Sequence, residues 1–135
     1  MELTVRALQE SDWETLQSWW TKWEWPEMNK DLLPLNGLGG LIVCKGDIPI
    51  VSGFLYLTNS GVAWMEWIIS DPEYKESDRK EALELLIKEL ENVAINMGKT
   101  IILSIGRNKS LINAHRNLGY VIDDNPSYEI SKKLI

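Results

Sequence analysis

The feature that most constrains the fold is a long amphipathic helix between two strand-like segments. Apolar residues recur at steps of three and four from Leu83 onward, and Gly98 stands where a helix C-cap belongs. This pattern predicts a helix over residues 78–97 with one buried face. Residues 62–70 are rich in aromatic and β-branched side chains, and residues 100–105 are almost wholly apolar. The central part of the chain is therefore predicted to fold as strand, helix and strand, with the second strand covered on both faces.

Shorter elements precede and follow this central unit. Periodicity and turn residues predict a strand over 3–7, a helix from Ser11 to before Pro26, a short helix over 26–35, strands over 41–45 and 49–57, a helix over 110–118, and closing strands over 120–122 and 128–132. The resulting order, β-α-α-β-β-β-α-β-α-β-β, is typical of an α+β (mixed α/β) arrangement around one sheet. The length of 135 residues suits a single domain over 1–135.

Composition disfavours several classes of protein. Cys44 is the only cysteine, which excludes a disulfide framework, and we predict no metal site. No apolar run approaches the roughly 20 residues of a membrane span and no signal peptide is recognised, so we expect a cytoplasmic protein. The net charge of −6 disfavours nucleic acid as the main partner, because phosphate contacts need clustered cations. Motifs of P-loop proteins, zinc proteases and α/β-hydrolases are absent.

Three segments resemble the GNAT superfamily of N-acetyltransferases. Residues 5–12 are similar to the family's first strand and the start of its first helix. Residues 68–75, Ile-Ile-Ser-Asp-Pro-Glu-Tyr-Lys, resemble the end of its fourth strand, and residues 108–120 resemble its late helix, which closes on glycine and an aromatic residue. The resemblance implies a central twisted mixed sheet of about six or seven strands flanked by about four helices. It also implies transfer of an acetyl group from acetyl-CoA to an unidentified amine, on a small molecule or a protein.

The resemblance implies a cofactor site as well. In the family, the pantetheine arm of acetyl-CoA lies between the splayed fourth and fifth strands. The pyrophosphate rests on backbone N–H groups at the start of the next helix, where the helix dipole favours an anion. The positions that match this cofactor site are Ile68, Ile69, Ser70, Lys75, Glu76, Ser77, Asp78, Arg79, Lys80 and Asn108.

The pyrophosphate loop departs from the family pattern. Asp78 and Lys80 stand where the family has glycine and then glycine or alanine, which let the backbone approach phosphate closely. In one hypothesis, the side chains of Lys75, Arg79 and Lys80 replace the bare backbone and acetyl-CoA still binds. In the other, Asp78 caps its helix, the cations form a solvated surface, and the chain is a non-catalytic GNAT-fold binding or dimerisation module that has lost acetyl-CoA binding.

Two residues are candidates for the proton transfers that acetyl transfer to an amine requires. His115 matches a tyrosine that serves as the acid for the leaving thiolate in many family members; alternatively, it only packs or faces solvent. Glu66, among tryptophans of the fourth strand, is a candidate base, because apolar burial raises a carboxyl pKa. Alternatively, it faces outward or forms an ion pair. Alternation predicts that Glu66 shares a strand face with Ile68 and Ser70.

The tryptophans are unusually concentrated, since four of them fall within residues 19–25. Helical spacing predicts that three tryptophans of this region pack in the core: Trp13, Trp20 and Trp23. Trp19 and Trp25 lie off that stripe, and we expect them, with Trp64, to bind the substrate. Exposed indoles can stack on an apolar, cationic or aromatic group, and they are also compatible with a homodimer surface.

Overall fold

One five-stranded mixed sheet organises the protein in the computed structural model, which describes residues 1–135. Its strands are β1 (Leu3–Ala7), β2 (Gly40–Lys45), β3 (Ile48–Leu57), β4 (Val62–Ser70) and β5 (Ile101–Ser104). The strands lie in chain order, β1 to β4 are antiparallel, and β5 runs parallel to β4. A parallel neighbour requires a crossover connection, which here contains the long helix that the sequence predicted.

Three α-helices complete the fold. They are α1 (Trp13–Lys22), α2 (Arg79–Asn96) and α3 (Lys109–Asn117). The short helix predicted over 26–35 is replaced by two 3-10 turns, Lys30–Leu32 and Pro34–Gly37, because Leu35 and Asn36 adopt positive φ angles of 49° and 55°. The predicted α+β architecture is confirmed, but the sheet has five strands instead of about six or seven, and there are three α-helices instead of about four. None of the helices is long and apolar enough to cross a membrane.

The C-terminal segment differs from the prediction. Residues 120–135 contain no strand, so the closing strands predicted over 120–122 and 128–132 are wrong. The apolar alternation that suggested them stays in solvent, with Val121 98% and Tyr128 92% exposed, and apolar alternation forms a strand only where a partner strand is available. The outer edge of β5 therefore has no neighbour, and Ile101 is 52% exposed. The prediction that this strand is covered on both faces is also wrong.

Each face of the sheet carries an apolar cluster. On one face, α2 contributes Leu86 and Leu90 to a cluster with Val51 and Met65 of the sheet. On the other face, α1 packs against a second cluster that joins Trp19 and Trp20 to residues from three strands: Ile42, Phe54 and Ile69. The prediction that Trp20 is in the core is confirmed, whereas Trp23 is 44% exposed because α1 ends at Lys22, before this residue.

A β-bulge divides β4 into two parts. Trp67 has a φ of 58°, and the pairing of β4 with β3 shifts at this point. Before the bulge, Glu66 lies opposite Phe54 and therefore on the face of α1, since directly opposed residues share a face. After the bulge, Ile68 packs in the cluster of α2. The prediction that Glu66 shares a face with Ile68 and Ser70 is wrong, because one extra residue inverts the alternation.

Candidate functional site

A cleft of about 830 Å³ lies beside the C-terminal half of β4. Strands β4 and β5 pair only through residues 62–65 and 101–104, so β4 has an unpaired edge from residue 66 onward. The apolar residues of the cleft are Trp23, Trp25, Val51, Ile68, Ile69, Leu83, Leu111 and Ala114. Its polar residues are Ser70, Ser77, Arg79, Lys80, Asn108, Ser110 and Asn113. The volume is that of a site for one sizeable small molecule.

The charged residues of the cleft are all cationic. Arg79 and Lys80 line it, and no carboxylate does, although the chain carries 20 Asp and Glu residues and a net charge of −6. Both cations lie in the first turn of α2, where unpaired backbone N–H groups and the helix dipole also favour an anion. Nowhere in the chain do three or more His, Cys, Asp or Glu side chains gather so that they could hold a metal ion. The cleft therefore combines an apolar wall with one anion-attracting end.

Arg79 connects the start of α2 with the end of β4. Its guanidinium donates to Ser70 Oγ at 2.6 Å and to the backbone oxygen of Tyr74 at 3.2 Å. These two bonds fix the plane of the group, and the guanidinium keeps further N–H donors for a ligand. A held guanidinium with free donors is the group best suited to bind a phosphate through two parallel bonds.

Asp78 is turned away from the cleft. Its carboxylate accepts hydrogen bonds from Tyr74 Oη at 2.5 Å and from Lys45 Nζ at 2.9 Å, and it makes no cap bond to the backbone of α2. The bonds from Tyr74 and Lys45 hold the pKa of Asp78 below its usual range, so the carboxylate is ionised at neutral pH. Asp78 occupies the N-cap position of α2, as one hypothesis proposed, but its side chain makes no capping bond to the helix. Among the residues matched to the cofactor site, most line the cleft, and three do not: Lys75, Glu76 and Asp78.

Two tryptophans line the cleft. Trp23 donates from Nε1 to the backbone oxygen of Ser70 at 2.7 Å, and Trp25 makes an edge-on contact with Trp67 at 6.3 Å between ring centroids. Trp19 is 3% exposed, so the expectation that it is an exposed indole is wrong. Trp64 is half-buried on β4 and does not line the cleft. Sequence reasoning missed Trp23, whose spacing matched the buried stripe, because its exposure depends on where α1 ends.

His115 is buried and does not reach the cleft. Its side chain is 4% exposed, and Nδ1 lies 2.8 Å from the backbone oxygen of Leu111. A neutral ring that donates through Nδ1–H leaves Nε2 as an acceptor, and this buried atom has no partner. Burial lowers the pKa of His115, which keeps the ring neutral at pH 7. The ring packs edge-on against Tyr120 at 4.9 Å, as in the packing alternative.

Glu66 is a half-buried carboxyl on the α1 side of β4. Burial raises its pKa, and the charge of Glu129 raises it further. It forms no ion pair, which excludes that alternative. Nearby, Tyr56 accepts a hydrogen bond from Trp67 Nε1 at 2.8 Å and donates one to the backbone oxygen of Leu32 at 2.8 Å. Glu66 does not line the cleft and lies just before the bulge, where the unpaired edge of β4 begins.

Comparison with known proteins finds relatives only among solved structures. No family model and no curated protein matches the sequence. An acetyltransferase from Trypanosoma brucei superposes with a TM-score of 0.65 at 18% identity, over 96% of this chain and 100% of that chain. An aminoglycoside 6′-N-acetyltransferase from Acinetobacter baumannii gives 0.65 at 18% identity, over 98% and 99% of the two chains. N-acetylglutamate synthase from Neisseria gonorrhoeae, complexed with coenzyme A and N-acetyl-glutamate, gives 0.69 at 12% identity, over 86% of this chain and 28% of that chain.

These likenesses identify the architecture. The antiparallel meander, the crossover helix and the parallel fifth strand that separates from the fourth define a mixed α/β fold with a split sheet. More narrowly, these solved acetyltransferases share the fold, which agrees with the resemblance of the three sequence segments to the GNAT superfamily.

Proposed function

We propose that the protein binds acetyl-CoA in the cleft and transfers the acetyl group to an amine. The observation that carries this proposal is the charge of the cleft, which contains Arg79 and Lys80 and no carboxylate in an otherwise acidic chain. Coenzyme A has phosphates at one end and a long, less polar arm at the other, so it matches a cleft with one cationic end and an apolar wall. The structure with the same fold that is complexed with coenzyme A supports the assignment.

The side chains at the start of α2 replace the missing glycines. Arg79 is already held in place by Ser70 and Tyr74, so little side-chain freedom is lost when it binds a phosphate. Lys80 has a side chain that is 72% exposed and only a loose contact of 4.0 Å with Glu84, so it can turn towards a second phosphate. Each charge-assisted contact contributes about 1.5–3 kcal/mol.

The unpaired edge of β4 accommodates the pantetheine arm. An extended amide chain can bind such an edge as an additional strand does, through backbone hydrogen bonds. Residues 68–70 lie at this edge and line the cleft. The backbone oxygen of Ser70 already accepts from Trp23, so the arm bonds to the remaining polar groups of the edge.

Glu66 is the base in this proposal. The amine nitrogen would attack the thioester carbonyl carbon, the carbon–sulfur bond would break, and the products would be an amide and the CoA thiolate, which takes up a proton from solvent to give the thiol. Glu66 lies where the edge of β4 becomes unpaired, beside the cleft residues 68–70, and its raised pKa suits it to take the proton that the amine loses. Transfer is direct, because Cys44 is buried and burial raises the pKa of its thiol, which makes it a poor nucleophile. The start of α3 would stabilise the leaving thiolate, because its first residues line the cleft and its dipole favours negative charge there.

Calorimetric titration with acetyl-CoA tests the proposal. Wild-type protein is expected to bind, and the Arg79→Ala/Lys80→Ala variant is expected to bind at least about 100-fold more weakly, since two charge-assisted contacts are lost. The matched control is Lys88→Ala/Arg116→Ala, which removes the same charges from exposed positions outside the cleft. No detectable binding by the wild type at millimolar acetyl-CoA contradicts the proposal.

One observation favours a second candidate, a non-catalytic GNAT-fold binding or dimerisation module. His115, at the position matched to the family's acid, is buried and does not line the cleft. A protein that does not bind acetyl-CoA and releases no thiol with any amine in a broad panel is the module, whereas amine-dependent thiol release identifies the acetyltransferase.

A further inference from the structure

The position of Asp78 creates an electrostatic problem for the cleft. It stands between Ser77 and Arg79, which both line the cleft at the start of α2. A carboxylate at this point repels an anionic ligand and attracts the cations that the ligand needs. Even so, no carboxylate lines the cleft, so some other part of the protein restrains this side chain.

The restraint comes from outside the cleft. Lys45, the last residue of β2, reaches one carboxylate oxygen of Asp78 with Nζ at 2.9 Å, and Tyr74 donates to the other oxygen at 2.5 Å. The pair is largely sheltered, since the side chains of Lys45 and Asp78 are 33% and 18% exposed. Lys45 has no other acidic partner, and neither Lys45 nor Tyr74 lines the cleft. Both oxygens of Asp78 are thus occupied on the side away from the cleft.

We propose that Lys45 is a positioning residue for anion binding: with Tyr74 it holds the Asp78 carboxylate away from the cleft and neutralises it. This inference rests on the proposed function and extends it, because Lys45 touches no ligand. Without Lys45, the carboxylate loses one of its two partners and can turn to Arg79 or Lys80. An internal ion pair then competes with the phosphate for the cations.

The test compares coenzyme A affinity in three variants of the full chain. Lys45→Met is expected to weaken binding about tenfold, the order of one solvent-screened charge contact at a few ångströms. Lys45→Met/Asp78→Asn is expected to restore the affinity to within about threefold of the wild type, because the competing charge is gone. The matched control is Lys30→Met, which removes an equally exposed lysine, also 33%, from an ion pair with Glu10. It is expected to leave the affinity unchanged.

Rescue by Asp78→Asn separates positioning from a structural role, because the double variant cannot re-form the ion pair. Unchanged coenzyme A affinity in Lys45→Met overturns the inference. It is also overturned if Lys45→Met binds coenzyme A more weakly, adding Asp78→Asn does not restore the affinity, and both variants unfold in a single thermal transition.

A second ligand separates this inference from the proposed function. Inorganic pyrophosphate is titrated while the backbone amide signals of residues 77–80 are followed by NMR. If the affinities of the wild type and the variants for pyrophosphate follow the expected order but coenzyme A does not bind, the inference stands and the proposed function fails. If the wild type binds neither ligand, both are overturned.

Discussion

Replacement of Arg79 by lysine isolates the geometry of the guanidinium from its charge. Arg79 bonds Ser70 Oγ at 2.6 Å and the Tyr74 backbone oxygen at 3.2 Å, and it lines the cleft with its other N–H donors unused by protein groups. An ammonium carries the same charge but has no planar fork, so it cannot keep both anchors and also bind a phosphate through two bonds. The variant therefore loses about one charge-assisted hydrogen bond, or about 1.5–3 kcal/mol of binding free energy.

This loss corresponds to a dissociation constant for coenzyme A that is about 10- to 150-fold higher in Arg79→Lys. Calorimetry at two salt concentrations measures it, and the salt dependence is expected to match that of the wild type because the charge is kept. Lys80→Arg is the control and is expected to change the affinity by less than about threefold, since Lys80 acts as a point charge. An Arg79→Lys variant that binds as tightly as the wild type refutes the role given to the anchored guanidinium.

Three further predictions follow from individual side chains. Coenzyme A is expected to quench tryptophan fluorescence in the wild type. Trp23→Phe is expected to lose most of this quenching, because Trp23 is 44% exposed and lines the cleft. Quenching of Trp23→Phe equal to that of the wild type contradicts binding of coenzyme A beside Trp23. Glu66→Gln is expected to lower kcat/KM for an accepted amine about 10²- to 10⁴-fold without changing coenzyme A affinity. Wild-type activity is expected to rise with pH through the raised pKa of Glu66. A Glu66→Gln variant that keeps the wild-type rate excludes Glu66 as the base. The pKa of His115 is lower in the folded state than in the unfolded state, where it is about 6.5. Below about pH 6.5 the unfolded state binds a proton at this histidine and the folded state does not, so the free energy of unfolding is expected to fall as pH falls towards the pKa of the folded state. Urea unfolding between about pH 7 and 5.5 is therefore expected to show a smaller pH dependence for His115→Gln, and equal slopes for the two proteins exclude this linkage.

The elements with strong local signals were predictable from the sequence. The helix predicted over 78–97 is observed as Arg79–Asn96, and the fourth strand agrees with the prediction at both ends, Val62 and Ser70. Both predictions rest on the periodicity of nearby residues and on terminal signals such as Gly98, which adopts a positive φ of 78°. Local patterns also placed residues 68–70, Arg79 and Lys80 on adjoining elements, and the structure brings them together in one cleft.

Features that depend on distant contacts were not predictable. The bulge at Trp67 inverts the faces of β4, and the pattern of apolar residues alone contains no sign of the extra residue. The orientation of Asp78 depends on Lys45, which lies 33 positions earlier in the chain. Helical spacing predicted that Trp23 is in the core, but α1 ends one residue earlier, at Lys22, and the spacing of apolar residues does not show where a helix ends.

Mapping the binding site of acetyl-CoA by NMR tests the central claim most directly. Acetyl-CoA is titrated into the isotope-labelled protein, and the shifts of the backbone amide signals are followed. We predict saturable shifts at the β4 edge, residues 68–70, at the start of α2, residues 77–80, and at Asn108 before α3, with none in β1, which lies at the far edge of the sheet. The absence of saturable shifts at millimolar acetyl-CoA, or shifts confined to another surface, contradicts acetyl-CoA binding in the cleft.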